Sequence, residues 1–159
     1  MTDGGDTHAA AAMVSLRRII RYLRLADREI ESSAGLSSAQ LFVLTTLAEA
    51  PAISLSEIAK RALTDQSSVS TVVARLVERG LIARKASTKD RRRAELRLTP
   101  AGHRLLTTAP AVPQARLIEA IRAMPVARRN ELVRALDALV DAIGADAVKP
   151  RMFFQDEQP

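Results

Sequence analysis

The chain has 159 residues, 47% hydrophobic and 26% charged, with six Gly, seven Pro and neither Cys nor Trp, a composition suited to one ordinary soluble domain with a real core and too apolar for a wholly disordered chain. The absence of Cys excludes disulfides, a thiolate nucleophile, Cys-ligated zinc and a thiol redox switch, while His8 and His103 are too few and too isolated to build a metal site, so neither metal nor cofactor is expected. The net charge of +6 is concentrated: residues 84–97 carry seven basic and two acidic side chains, five of the six excess charges, and such a peak calls for a polyanionic partner, of which nucleic acid is the commonest.

Arg17, Arg18 and Arg21 interrupt the first apolar stretch, so no membrane-spanning helix is expected. The acidic start Met1–His8 does not read as a secretory signal; cytoplasm is the expected compartment, with no membrane partner. Residues 1–12 lack an amphipathic period and read as a flexible arm. From Met13, Leu16, Ile19, Ile20, Leu23, Ala26 and Ile30 form a helical stripe with five arginines off it, closed by Gly35. Ser37-Ser38-Ala39-Gln40 is a capping box opening a second helix that stops before Pro51. Ser54-Leu55-Ser56-Glu57 repeats the pattern and opens a third, two-turn helix.

After Thr64-Asp65, either of which can serve as N-cap, Val69, Val72, Val73, Leu76 and Val77 share one face of a fourth helix that Gly80 closes. Its β-branched content requires burial of that stripe for stability. The opposite face carries Gln66, Ser67, Ser68, Ser70, Thr71, Ala74 and Arg75. Small polar side chains let a helix approach another macromolecule closely and offer it hydroxyl and amide groups, where an ordinary solvent face would carry Glu and Lys.

Residues 81–87 and 94–99 read as two strands of a hairpin, with Leu96 and Leu98 alternating against Glu95, Arg97 and Thr99. The charge peak falls at its tip. Thr99-Pro100 opens a long helix with Thr as N-cap and Pro at its first position, and Pro110 and Pro113 predict a kink or break within it. A last amphipathic helix through Leu132, Val133, Leu136, Leu139, Val140 and Ile143 ends at Gly144. Residues 145–159 read as a mobile or partner-dependent tail, with Phe153-Phe154 the one feature that favours docking.

Two short helices joined by a tight turn, the second with an uncharged leading edge, fit a helix-turn-helix, and the basic hairpin after it fits a wing. The expected fold class is therefore mostly α with a small β-hairpin wing. The stretch from Ser54 to Leu106 resembles the MarR family of winged helix-turn-helix regulators. The resemblance rests on Leu76-Val77-Glu78-Arg79-Gly80-Leu81-Ile82, on Asp90-x-Arg92, and on Leu98-Thr99-Pro100-Ala101-Gly102. It implies a homodimer built from residues 13–36 and 100–144, carrying two DNA-binding lobes, residues 37–99, on a pseudo-palindromic operator. It further implies a ligand-responsive regulator, expected to be a repressor.

On that resemblance the helix Gln66–Arg79 lies in the major groove. Gln66, Ser67, Ser68, Ser70 and Thr71 then face base edges and phosphates, and Arg75 binds phosphate or pairs with the wing. Arg92 enters the minor groove with Asp90 holding the loop or guanidinium, and Lys89, Arg91 and Arg93 contact phosphates. The effector it implies is a small aromatic or lipophilic anion, with Tyr22, Phe42 and Thr46 as candidate lining and Arg18 or Arg21 as its counter-charge. An enzyme is disfavoured, since the sequence offers no nucleophile beside a base, no carboxylate pair on one face and no glycine-rich phosphate loop. The competing reading is a winged-helix protein-interaction module without operator specificity.

Overall fold

A computed structural model describes residues 3–86 and 94–155. Among these described residues, seven helices and one antiparallel hairpin follow in the order α1 (Asp3–Ala34), α2 (Ser38–Glu49), α3 (Leu55–Ala62), α4 (Gln66–Glu78), β1 (Ile82–Ala86), β2 (Ala94–Leu98), α5 (Pro100–Leu106), α6 (Pro113–Ala123) and α7 (Val126–Ala142). Among the described residues no helix is long and apolar enough to cross a membrane.

Both capping boxes form as the sequence predicts. Ser37 and Gln40 exchange hydrogen bonds at the start of α2, and Ser54 and Glu57 do so at the start of α3. The Ser54 main chain and hydroxyl hold the Glu57 carboxyl below its usual range. α2 is the central rod: Leu41, Phe42, Val43, Leu44 and Leu47 are all buried, so its sequence is apolar on every side. The valine stripe of α4 closes over it, with Val69, Val72, Val73 and Leu76 at 0–2% exposure. Leu96 of β2 completes this core, and its N–H donates to the Ile53 carbonyl (3.1 Å), so the α2–α3 connection adds a short third edge to the hairpin.

The junctions quoted for the family resemblance have mechanical reasons. Gly80 adopts φ +69°, a left-handed value that favours glycine and ends α4. Thr99 caps α5 through the Gly102 N–H (3.2 Å), and its hydroxyl donates to the Gly80 carbonyl (2.7 Å). A Cβ on Gly102 would overlap the Leu81 carbonyl and stand 3.2 Å from a Leu98 methyl group, so α5 reaches the end of α4 only because residue 102 has no side chain. Arg79 spans from α4 to the α1–α2 turn, donating to the Gly35 carbonyl at 2.7 Å.

Two expectations change, at the two ends of the chain, and the break at Pro110 and Pro113 is met. Residues 3–12 continue α1 rather than forming a flexible arm; Ala9–Ala12 are strong helix formers and need no amphipathic period where nothing is buried. The helix expected from Thr99 onward is divided, with α5 ending at Leu106 and α6 starting at Pro113, as the two prolines foretell. The described part of the tail is docked: Met152 is 3% exposed and belongs to the core cluster, and Gln155 is buried. One apolar side chain inside an otherwise polar segment anchors it without giving a periodic signal.

The terminal helices are unlike the lobe. α1 buries Leu23, Asp27 and Ile30 against the body, with the Asp27 carboxylate accepting from the Ser38 N–H at 2.7 Å. Met13, Val14, Ile19, Ile20, Tyr22 and Leu25 on the same helix are exposed. α7 buries no residue, leaving Val133, Leu136, Leu139 and Val140 uncovered.

Candidate nucleic-acid interface and adjoining cavity

The start of α4 is built around Asp65. Its carboxylate accepts from the Ser68 N–H (2.9 Å), the Ser68 hydroxyl (2.8 Å) and the Ser67 hydroxyl. These bonds, the one from Ser67 foremost, hold the carboxyl far below its usual range, so it stays ionised at the positive end of the helix. Of the two candidate N-caps, Asp65 is the one used.

With α4 seated on its valines, Gln66, Ser67 and Thr71 are exposed and Ser70 is half-buried on the rim. Thr71 also donates to the Ser67 carbonyl at 3.2 Å. Ser68 departs from the expectation: it is buried with its hydroxyl committed to Asp65, because its position falls toward the core side of the helix. Arg75 departs as well. Among the described residues it is half-buried and donates from Nη1 to the main-chain carbonyl of Gln155 at 3.0 Å.

In the wing, β1 and β2 pair with Lys85 opposite Glu95 and Arg84 opposite Leu96. Arg84, Lys85 and Arg97 are exposed along the stem, Arg97 pairing with Glu95 at 3.1 Å. Arg84 and Lys85 are basic groups beside α4 that the charge count included but the assignment of individual sites passed over. Lys89, Asp90, Arg91, Arg92 and Arg93 lie outside the described residues. Thus the described surface joins an uncharged helix leading edge to a cationic hairpin stem on one body: close approach is offered by one, and attraction to phosphate by the other.

A cavity of about 160 Å³ lies between α2, the end of α3 and α6. Phe42, Thr45, Thr46, Val112, Ala115 and Ile118 line it, and Glu49, Glu119, Arg61 and Arg122 complete its wall. The structure brings together two of the five residues named for a ligand, Phe42 and Thr46. It leaves Arg18, Arg21 and Tyr22 exposed on α1, away from this lining. The cationic groups here are Arg61 and Arg122, which the sequence could not single out because they come from helices about 60 residues apart.

Residues 36–94 match the MarR family. The chain is similar to the HTH-type transcriptional repressor MdtR of Bacillus subtilis (strain 168), 37% identical over 89 residues, which are 56% of this chain and 57% of that protein. It is also similar to a putative transcriptional regulatory protein for the hcr operon of Thauera aromatica, 39% identical over 75 residues, 47% of this chain and 45% of that protein. The chain thus spans about half the length of these curated relatives. Among solved structures, the PcaV transcriptional regulator of Streptomyces coelicolor in complex with its natural ligand superposes with a TM-score of 0.53 at 26% identity, covering 80% of this chain and 90% of that one.

Proposed function

We propose that this chain is a MarR-type winged helix-turn-helix regulator that binds a pseudo-palindromic operator as a homodimer and acts as a ligand-responsive repressor. The observation that carries this reading is the leading edge of α4, where Gln66, Ser67, Ser70 and Thr71 offer neutral donors and acceptors on a helix fixed by the Asp65 cap. Major-groove base edges are read by such groups at close range. The basic wing supplies the phosphate and minor-groove contacts, with Arg92 at the groove and Lys89, Arg91 and Arg93 on phosphates.

The exposed apolar faces of α1 and α7 support the dimer. Ile19 and Ile20 on α1 and Leu136, Leu139 and Val140 on α7 are exposed apolar side chains at helical spacing, and a second copy of the chain would cover them symmetrically. Two lobes then meet half-sites about one helical turn apart. The cavity between α2 and α6 supports a small effector with an apolar body: Phe42, Val112 and Ile118 take the body, and Arg61 or Arg122 takes an anionic group.

The test is binding to duplexes recovered by footprinting beside the protein's own coding region. Specific binding that falls steeply with salt and is lost on scrambling the half-sites is the expected result. Equal affinity for intact and scrambled duplexes defeats the operator reading in favour of a protein-interaction module. Ser70→Glu, which sets a carboxylate against phosphates, is expected to abolish specific binding; retained binding at physiological salt removes α4 from the groove.

A further inference from the structure

The segment Pro150–Gln155 is built as a hook on the DNA-reading side of the lobe. Met152 is 3% exposed and sits in the core cluster, ten residues beyond the end of α7. The loop is closed on itself, since Gln155 Oε1 accepts from the Met152 N–H (3.3 Å) while the Gln155 N–H donates to the Met152 carbonyl (3.2 Å). Phe154 takes φ +58° to make that turn, a conformation that non-glycine residues adopt only where surrounding contacts hold them. Two bonds fasten it to the helix-turn-helix: the Thr64 hydroxyl donates to the Pro150 carbonyl (3.2 Å), and Arg75 Nη1 donates to the Gln155 carbonyl (3.0 Å).

Thr64 immediately precedes the cap of α4 and Arg75 lies in its third turn, so the hook runs along one flank of the recognition helix. At about 100° per residue, Ser67, Thr71 and Ala74 mark the middle of the outward face, and Arg75 stands on the edge it shares with Ser68. A major groove about 12 Å wide admits a helix of about 10–12 Å diameter, which leaves no width for a second segment laid against it. The anchoring contact is also one that DNA can outbid, because a phosphate meets the guanidinium with an opposite charge and, through its second oxygen, with bidentate geometry, whereas the Gln155 carbonyl is neutral.

We infer that Pro150–Gln155 is an intramolecular latch: it withholds Arg75 and narrows the open face of α4, and duplex DNA displaces it. The inference rests on α4 being the groove-reading helix. Free protein is thereby held in a form with lowered affinity for DNA in general, and the site must release its own chain before Arg75 reaches a phosphate.

The experiment compares the full chain with Met152→Asp, which expels the anchor without shortening the protein, and with a chain ending at Lys149. Each is titrated with a fluorescent duplex, and helicity and melting are followed by circular dichroism. Both variants are expected to bind 3- to 10-fold more tightly than the parent, and Arg75→Ala is expected to weaken binding more in the Met152→Asp background than in the parent. Equal or weaker binding by a variant that remains helical overturns the latch. A Phe154→Trp chain gives a second reading that needs no destabilising change, since it holds the protein's only tryptophan. Its acrylamide quenching should rise on saturation with duplex, and unchanged or reduced quenching also overturns the latch. Failure of every form to bind any duplex overturns the groove-reading assignment together with the latch, whereas binding without latch effects overturns the latch alone.

Discussion

The lobe spanning α2 to β2 and the terminal helices α1 and α7 solve opposite problems with similar residues. In the lobe, apolar side chains find partners within the same chain: α2 and α4 bury Leu41, Leu44, Leu47, Val69, Val73 and Leu76 almost completely. On α1 and α7, leucines, valines and isoleucines at equally regular helical spacing remain in solvent, and α7 buries nothing. Periodicity therefore identifies a face that needs cover but not the molecule that covers it. The lobe closes its own core, while the ends leave apolar faces that the proposed dimer would cover.

The comparison breaks most sharply if the ends are made unfit to pair. Leu136→Glu combined with Val140→Glu should turn the proposed dimer into a monomer by sedimentation and reduce operator affinity about 10²- to 10⁴-fold through loss of the second half-site. The mean residue helicity of the lobe should survive. A variant that remains dimeric would show that these faces are not the joint.

The converse change attacks the lobe. Gly102→Ala drives a methyl group onto the Leu81 carbonyl and is expected to cost about 1–3 kcal/mol of stability in urea unfolding, the usual scale for overpacking. Its subunit association should be unaltered at temperatures where it stays folded. Arg92→Ala is expected to weaken operator binding by about 1–3 kcal/mol in a gel-shift series, again with dimerisation unchanged; wild-type affinity would remove that side chain from the groove.

The smallest effect concerns the α4 cap. Hydrogen bonds from Ser67 and Ser68 lower the Asp65 pKa in the folded state, so its contribution to stability is complete above the ordinary carboxylate pKa of roughly 4 and fades as pH falls below it. The melting temperature of wild type should exceed that of Asp65→Asn by a constant margin from pH 5 to 8, and that margin should shrink below pH 4. A gap that widens on acidification would contradict the cap assignment.

What could be read in advance was whatever depends on neighbours in sequence. The capping boxes at Ser37 and Ser54, the Thr99-Pro100 start of α5, the break at Pro110 and Pro113, and the alternation of Leu96 and Leu98 are all local patterns, and the structure contains each of them. Features assembled from distant segments were not legible. Arg61 and Arg122 share a cavity wall although helices α4 and α5 and the wing separate them in sequence. Arg75 meets a carbonyl 80 residues away, and nothing in its surroundings on α4 distinguishes it from a phosphate ligand. Ser68 reads as one of a row of polar residues until the rotation of α4 turns it inward.

The junction at Thr99 carries a further implication for signalling. One threonine ties the carboxyl end of α4, the base of the wing and the first turn of α5 into a single knot, through the Gly80 carbonyl, the Leu81 carbonyl and the Gly102 N–H. On the proposed function, guest molecules that shift α5 or α6 would thus swing α4 and the wing as one piece. The two arms of a symmetric pair would then change their separation while each keeps its grip, and the pair would miss its paired target yet still hold an isolated half.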